Sequence, residues 1–259
     1  MNKLSKDILE KTEGVTSELY KDLVQPVVKP VGEMIGFIPR TIRLWLSSWE
    51  KWLINGEESV NLTAKAIEDK IKKVPKEKIV EPASYVAIPA IQQLTYCQDN
   101  SDLRELYANL LVSSMNAETQ WRVHPSFVDM IKQLNPDEAK FLRQLKAMVS
   151  YPLIDIRINA PTTGYNDIVV NFTAVGNSVL ERKEDVPEYI DNLSRLGIIR
   201  LSDSYLIDDS KYNETIKLSE SLFNIPEITS DGWRRSYKKH LFELTDFGAA
   251  FVKVVVNPE

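Results

Sequence analysis

The sequence predicts an α+β protein in which helices predominate, with an N-terminal helical region followed by a winged-helix-like C-terminal domain. Two observations carry this prediction. Apolar residues recur at spacings of three and four in several separate runs within the first 150 positions, and the period then changes to strand-like alternation after Ser150. A third observation, the placement of capping residues and prolines at the ends of these runs, marks where individual helices begin and stop.

The chain divides by period and charge into residues 1–80, 81–150 and 151–259, with net charges of +2, −2 and −5 in turn. In the first part, an N-terminal amphipathic helical region, Val60, Ala64, Ile67, Ile71 and Val74 share one helical face before Pro75 ends it. Ile38, Ile42, Trp45, Trp49 and Trp52 form a second stripe, with Arg40, Arg43, Ser47 and Lys51 on the opposite side. In the second part, a central helical domain, Leu103, Leu106, Tyr107, Leu110 and Leu111 follow Asp99-Asn100-Ser101-Asp102, whose short polar side chains suit exposed helix amides. A short helix after Ser126 buries Phe127, Ile131 and Leu134. Asn135-Pro136-Asp137-Glu138 then has the form of a capping box, predicting a helix through about Val149 with Phe141, Leu142, Leu145 and Met148 inward.

In the third part, Leu153 to Ile158 alternates as a half-buried strand does, and Ile168 to Phe172 forms a second β-rich run beyond Pro161-Thr162-Thr163-Gly164. Asp185-Val186-Pro187-Glu188 opens a helix carrying Ile190, Leu193 and Leu196, which Gly197 ends in a left-handed conformation. Ile198 to Leu201 and Tyr205 to Ile207 suit a short hairpin around Ser202-Asp203-Ser204. Leu241 to Leu244 reads as a strand, after which Thr245 caps a last helix with Phe247, Ala250, Phe251 and Val254. This order of helix, hairpin and terminal helix is similar to a winged-helix module, a likeness of fold that does not establish DNA binding.

The composition narrows the chemistry. The chain has 259 residues with 43% hydrophobic and 27% charged, the profile of a globular protein. One Cys excludes an intramolecular disulfide framework and an all-thiolate zinc site. His124 and His240 stand far apart, neither in a His-Glu-x-x-His pattern nor beside Cys97, so metal ligation is not indicated. Nine scattered glycines form no phosphate-cradling loop, and no Gly-x-Ser-x-Gly elbow occurs. His124, before Pro125 at a helix entry, reads as a structural histidine; Cys97 reads as a small buried residue. Asp203, Asp208 and Asp209 read as turn residues. The expectation is a protein that is no enzyme and takes no cofactor.

The first residues, Met1 to Asp7, lead into charge without the apolar core of a secretory signal, and no run of about 18 uninterrupted apolar residues occurs. A cytoplasmic location is expected, with peripheral contact at the inner membrane where the tryptophan face meets lipid. That face has three readings, a core helix, a protein interface and a membrane-surface helix. Trp suits all three, and the basic side chains opposite it suit anionic lipid. Candidate interface residues are therefore Ile38, Arg40, Ile42, Arg43, Trp45, Trp49, Lys51 and Trp52. The alternative surface is Arg234, Arg235, Lys238 and Lys239 with Trp233 and Tyr237, which offers phosphate contacts and stacking. The net charge of −5 argues against nucleic acid as a partner.

Several stretches carry a family resemblance: Pro26 to Gly32, Glu81-Pro82-Ala83, Ile88 to Gln92, Leu103 to Leu111, Val123 to Phe127 and Leu134 to Ala139. In these the chain resembles the bacterial abortive infection alpha family, from about Leu19 to the carboxyl terminus. The resemblance implies a role in antiviral defence, in which an infected cell stops growing or dies before phage matures. It implies no catalytic residues. Its expected partners are further copies of the chain or another defence protein.

Overall fold

The structure, a computed structural model, describes residues 57–94, 97 and 100–258. The tryptophan stripe and its flanking cations, Ile38 to Trp52, lie outside the described residues, as does Pro26 to Gly32. The described part is α+β, with eight α-helices and one antiparallel four-stranded sheet. The chain falls into two compact units, one reaching Trp121 and the other starting at Arg122.

In the first unit, helices α1 (Glu57–Ile71) and α2 (Ser84–Leu94) each pack on α3 (Ser101–Ser114). The three-and-four spacing explains the arrangement: Ile67 and Ile71 of α1 are buried, as are Ala90, Ile91 and Leu94 of α2 and Leu106, Tyr107, Leu110 and Leu111 of α3. Asn100 caps α3, its Oδ1 accepting the amide of Leu103 at 3.0 Å. α2 carries Pro89 within it, a residue that cannot donate to the carbonyl one turn earlier, which is why the periodicity does not announce this helix. A short antiparallel bridge closes the unit where Val80 N donates to Met115 O and Ala117 N to Lys78 O.

The second unit begins with α4 (Ser126–Lys132) and α5 (Pro136–Leu142). The capping box before α5 is present: Asn135 Oδ1 accepts Glu138 N at 2.8 Å and Glu138 Oε2 accepts Asn135 N at 2.7 Å. The helix stops at Leu142, well short of Val149. The Tyr151 hydroxyl accepts the amide of Lys146 at 2.7 Å, giving the chain a partner outside the helix. Met148 takes a left-handed backbone with φ 60° and is fully exposed, not inward.

The sheet has the order β2-β1-β4-β3, formed by β1 (Ser150–Asn159), β2 (Tyr165–Phe172), β3 (Ile199–Ser202) and β4 (Arg234–Leu244). The four successive residues Leu153, Ile154, Asp155 and Ile156 of β1 are all buried, so both faces of the strand are covered there and the alternating half-buried pattern is not kept. β2 carries two bulges. Ile154 pairs Phe172 and Ile156 pairs Val169, while Arg157 pairs Asp167, so β2 has one residue too many in each interval.

Helix α6 (Val186–Arg195) packs on β2 and β3, and Gly197 ends it with φ 71° as its amide donates to Ser194 O. The hairpin expected after it does not form. β3 pairs with Leu241 to Leu244 of β4, α7 (Asn213–Phe223) intervenes, and Tyr205 and Ile207 lie exposed in irregular chain. The reason is partner choice: Leu206 N donates to the Tyr212 hydroxyl, which itself donates to His240 O, so the segment is held by a side chain and not by a ladder. Thr245 caps α8 (Asp246–Phe251), its Oγ1 accepting Gly248 N at 2.8 Å, and the chain continues as a π-helical turn through Val256.

Candidate functional site

A grouping of charge in the second unit lies where β1, β2 and β4 meet. In the register, Leu153 faces His240, Asp155 faces Lys238 and Arg157 faces Ser236 across β1 and β4. Asp155, Arg157, Lys238 and His240 thus share one face of the sheet by strand alternation. Asp155 and His240 are 4% and 5% exposed, which makes them a buried acid and imidazole at the foot of this face. His240 Nε2 lies 3.0 Å from Asp155 Oδ1, off the line of a good hydrogen bond. The same oxygen accepts the backbone amide of Asn171 at 3.0 Å, where a bulge sets Asn171 at φ 62°. Oδ2 stands 3.8 Å from Arg157 Nη2 and 3.9 Å from Lys238 Nζ.

Toward solvent the cations are shared outward. Arg157 Nε donates to Asp167 at 2.6 Å and its guanidinium lies 4.1 Å from the Tyr165 ring centre, while Lys238 donates to Asp203 at 2.9 Å. Burial holds the His240 imidazole below its usual range. Lys238 adds to that effect, and the charge of Asp155 opposes it without overcoming it. The result is a neutral histidine beside a carboxylate that two cations hold, an arrangement suited to ordering the sheet and shielded from a reactant.

The four cations of the alternative nucleic-acid surface are all on β4, and strand geometry separates them. Arg234 and Lys238 point to one face, Arg235 and Lys239 to the other. Three are also engaged: Arg235 with Glu220 at 2.7 Å and with Ile225 O, Lys238 with Asp203, and Lys239 with Asp209. Asp203 and Asp209, expected as plain turn residues, are the counter-charges of this strand. Tyr237 donates to Glu220 at 3.0 Å, and its hydroxyl is pushed up to about 12, first by burial and then by that bond.

His124 is exposed and local. Its Nδ1 accepts the amide of Ser126 at 3.2 Å at the start of α4, and its ring stands edge-on to Phe247 with centres 5.3 Å apart. Cys97 is half-buried, less enclosed than its sequence context suggests, and burial pushes its thiol up, away from the reactive thiolate. Asp137, buried within the second unit, is a polar centre that the capping box alone did not announce. Its Oδ2 accepts the amides of Glu181 and Arg182 at 3.0 and 2.9 Å and the Tyr189 hydroxyl at 3.4 Å, and Lys140 donates to Oδ1 at 3.2 Å. Burial works to raise this carboxyl, yet the donors outweigh it and hold it below its usual range.

Among the described residues no three His, Cys, Asp or Glu side chains come together in a way that could hold a metal ion. No described helix is long and apolar enough to cross a membrane.

The family described as abortive infection alpha matches residues 55–255. Pro26 to Gly32, quoted above for the resemblance, therefore precedes the matched span, as does the tryptophan stripe. A search of curated proteins finds no match. Among solved structures, an uncharacterized protein from the hydrocarbon-degrading marine bacterium Alcanivorax borkumensis SK2 is similar at 13% identity, covering 49% of this chain and 90% of that one. Its TM-score of 0.29 is too low to carry a conclusion.

Proposed function

The chain belongs to the abortive infection alpha family, and from that premise we propose that it is an anti-phage defence protein acting without catalysis. The effector in this reading is the tryptophan face of residues 38–52, masked at rest and turned on infection toward the membrane or another subunit. The observation that carries the defence role is the family match over residues 55–255. The mechanism draws its support from the sequence pattern. Trp45, Trp49 and Trp52 share one helical face with Ile38 and Ile42, opposite Arg40, Arg43 and Lys51. Burying such rings supplies several kcal/mol per helix at roughly 25 cal/mol per Å² of apolar surface, and oligomerisation multiplies it. Neither histidine serves as a general base in this reading, one holding a helix start and the other enclosed in the sheet.

Fractionation of cells before and after phage challenge tests this. The reading expects the chain to move after infection into the membrane fraction or into a larger assembly. A chain that protects while staying in one soluble, unchanged form on both sides of infection contradicts it.

The second reading is a winged-helix-like regulatory protein that binds nucleic acid through Arg234, Arg235, Lys238 and Lys239. The run of four cations beside Trp233 and Tyr237 favours it. Against it, phosphate would have to displace Glu220, Asp203 and Asp209 from three of the four. DNA retention that falls steeply with salt and disappears on charge reversal of the four would establish it.

A further inference from the structure

We propose that the buried pair Asp155 and His240 is a proton-operated latch on the inner bulge of β2, closed while the imidazole is neutral and opened when it takes up a proton. The proposal rests on the sheet alone and stands apart from the tryptophan reading. Ile154 pairs Phe172 and Ile156 pairs Val169, so the single residue Asp155 stands opposite two, Val170 and Asn171. The bulge sets Asn171 in the left-handed region, with φ 62°. Asp155 Oδ1 accepts the Asn171 amide at 3.0 Å, and the Asn171 side chain donates to Asp191 of α6 at 3.2 Å. One carboxylate oxygen thus fastens β2 to β1 where the ladder is interrupted, beside a residue that reaches on to α6.

The same oxygen faces the imidazole. His240 Nε2 lies 3.0 Å from Oδ1 but out of line, buried and without a hydrogen-bond partner. A neutral ring leaves Oδ1 to the amide. A protonated ring has donors at both nitrogens, and a charged hydrogen bond is about twice as strong as a neutral one. The carboxylate comes into line by turning about its Cβ–Cγ bond, a soft torsion, and that turn takes Oδ1 from Asn171. Oδ2 does not replace it, because it stands toward Arg157 Nη2 at 3.8 Å and Lys238 Nζ at 3.9 Å. The remaining charged groups about the pair are engaged: Asp203 with Lys238, Asp167 of β2 with Arg157, and Asp191 with Asn171, while the Tyr212 hydroxyl donates to His240 O. Asp155 is therefore the acceptor that a proton on His240 recruits. Burial, with Lys238 behind it, keeps the ring uncharged at neutral pH, so the latch is closed there and opens as the pH falls below 6.5.

Hydrogen exchange on the full chain, corrected for the intrinsic pH dependence of amide exchange, reads the latch directly. From about pH 7.5 to about pH 5, across the imidazole range, protection of the Asn171 amide should fall about tenfold, the loss of one hydrogen bond, while amides of β3 at the opposite edge keep theirs. His240→Gln takes up no proton and should hold the Asn171 protection level over that range. Nuclear magnetic resonance of the unmodified chain gives a reading that needs no variant to fold: the Asn171 amide shift should follow the His240 imidazole with one midpoint below 6.5. An Asn171 amide that stays constant while His240 titrates overturns the proposal. So does a loss of equal size in His240→Gln, or an equal loss at β3.

Discussion

Adding one methyl group at Gly248 should unfasten α8 from the sheet. A Cβ built there would lie 1.9 Å from Ile198 O and 2.7 Å from its carbonyl carbon, where ordinary contact begins near 3.4 Å. The obstacle is backbone, so no rotamer change relieves it, and α8 must retreat by about 1.5 Å. The same approach holds two hydrogen bonds, Thr245 N to Ile198 O at 3.0 Å and Thr245 Oγ1 to Gly197 O at 2.6 Å, and a retreat of that size breaks both. Two lost hydrogen bonds at about 1 kcal/mol each, with overpacking of about 1–3 kcal/mol, give a destabilisation of about 3–5 kcal/mol for Gly248→Ala. For a protein of this size that lowers the melting temperature by roughly 10 °C, measured by circular dichroism. Gly164→Ala is the contrast. Its φ is 99° with nothing within 4 Å of the added Cβ, so it carries backbone strain alone, about 1 kcal/mol. A Gly248→Ala protein that melts within about 3 °C of the parent, or no lower than Gly164→Ala, would refute the reasoning.

Three further outcomes follow from the polar groups. His240 is held below its ordinary 6.5 in the fold while the unfolded chain takes up a proton near 6.5. Stability is therefore complete above 6.5 and falls as the pH drops below it; His240→Gln should flatten that part of a plot of melting temperature against pH. Asp137→Ala leaves the amides of Glu181 and Arg182 without their acceptor, while the Tyr189 hydroxyl keeps the Arg182 carbonyl, and urea unfolding should show a loss of about 2–4 kcal/mol. Because the Asp137 carboxyl is held below 3.8, its contribution is present above 3.8 and disappears as the pH falls through its lower folded value; Asp137→Ala should remove that acid-side loss.

Much of the fold is legible where one residue type has one physical use. Asn100, the Asn135 to Glu138 box, Gly197 and Thr245 are caps in the sequence and caps in the structure, because an exposed helix amide or a left-handed residue has few other solutions. Legibility ends where tertiary contact decides. Pro89 hides α2, the Tyr151 hydroxyl ends α5 early, and the Tyr212 hydroxyl holds a segment that the pattern assigns to a hairpin. Three of the basic side chains show the same limit. Arg235, Lys238 and Lys239 look like one patch in sequence, but strand alternation puts them on two faces, and carboxylates up to 35 positions away occupy them. The burial of Asp155 beside His240 depends on pairing between strands about 80 positions apart, which no local spacing encodes.

The account depends most on the indole face acting outward, and plating of phage on cells carrying Trp45→Ala, Trp49→Ala and Trp52→Ala together tests it most directly. The account predicts that, at matched expression and with an unchanged far-ultraviolet spectrum, plaque formation returns to the level of cells lacking the protein. Full protection by that folded triple variant would contradict it, leaving the defence family without this mechanism.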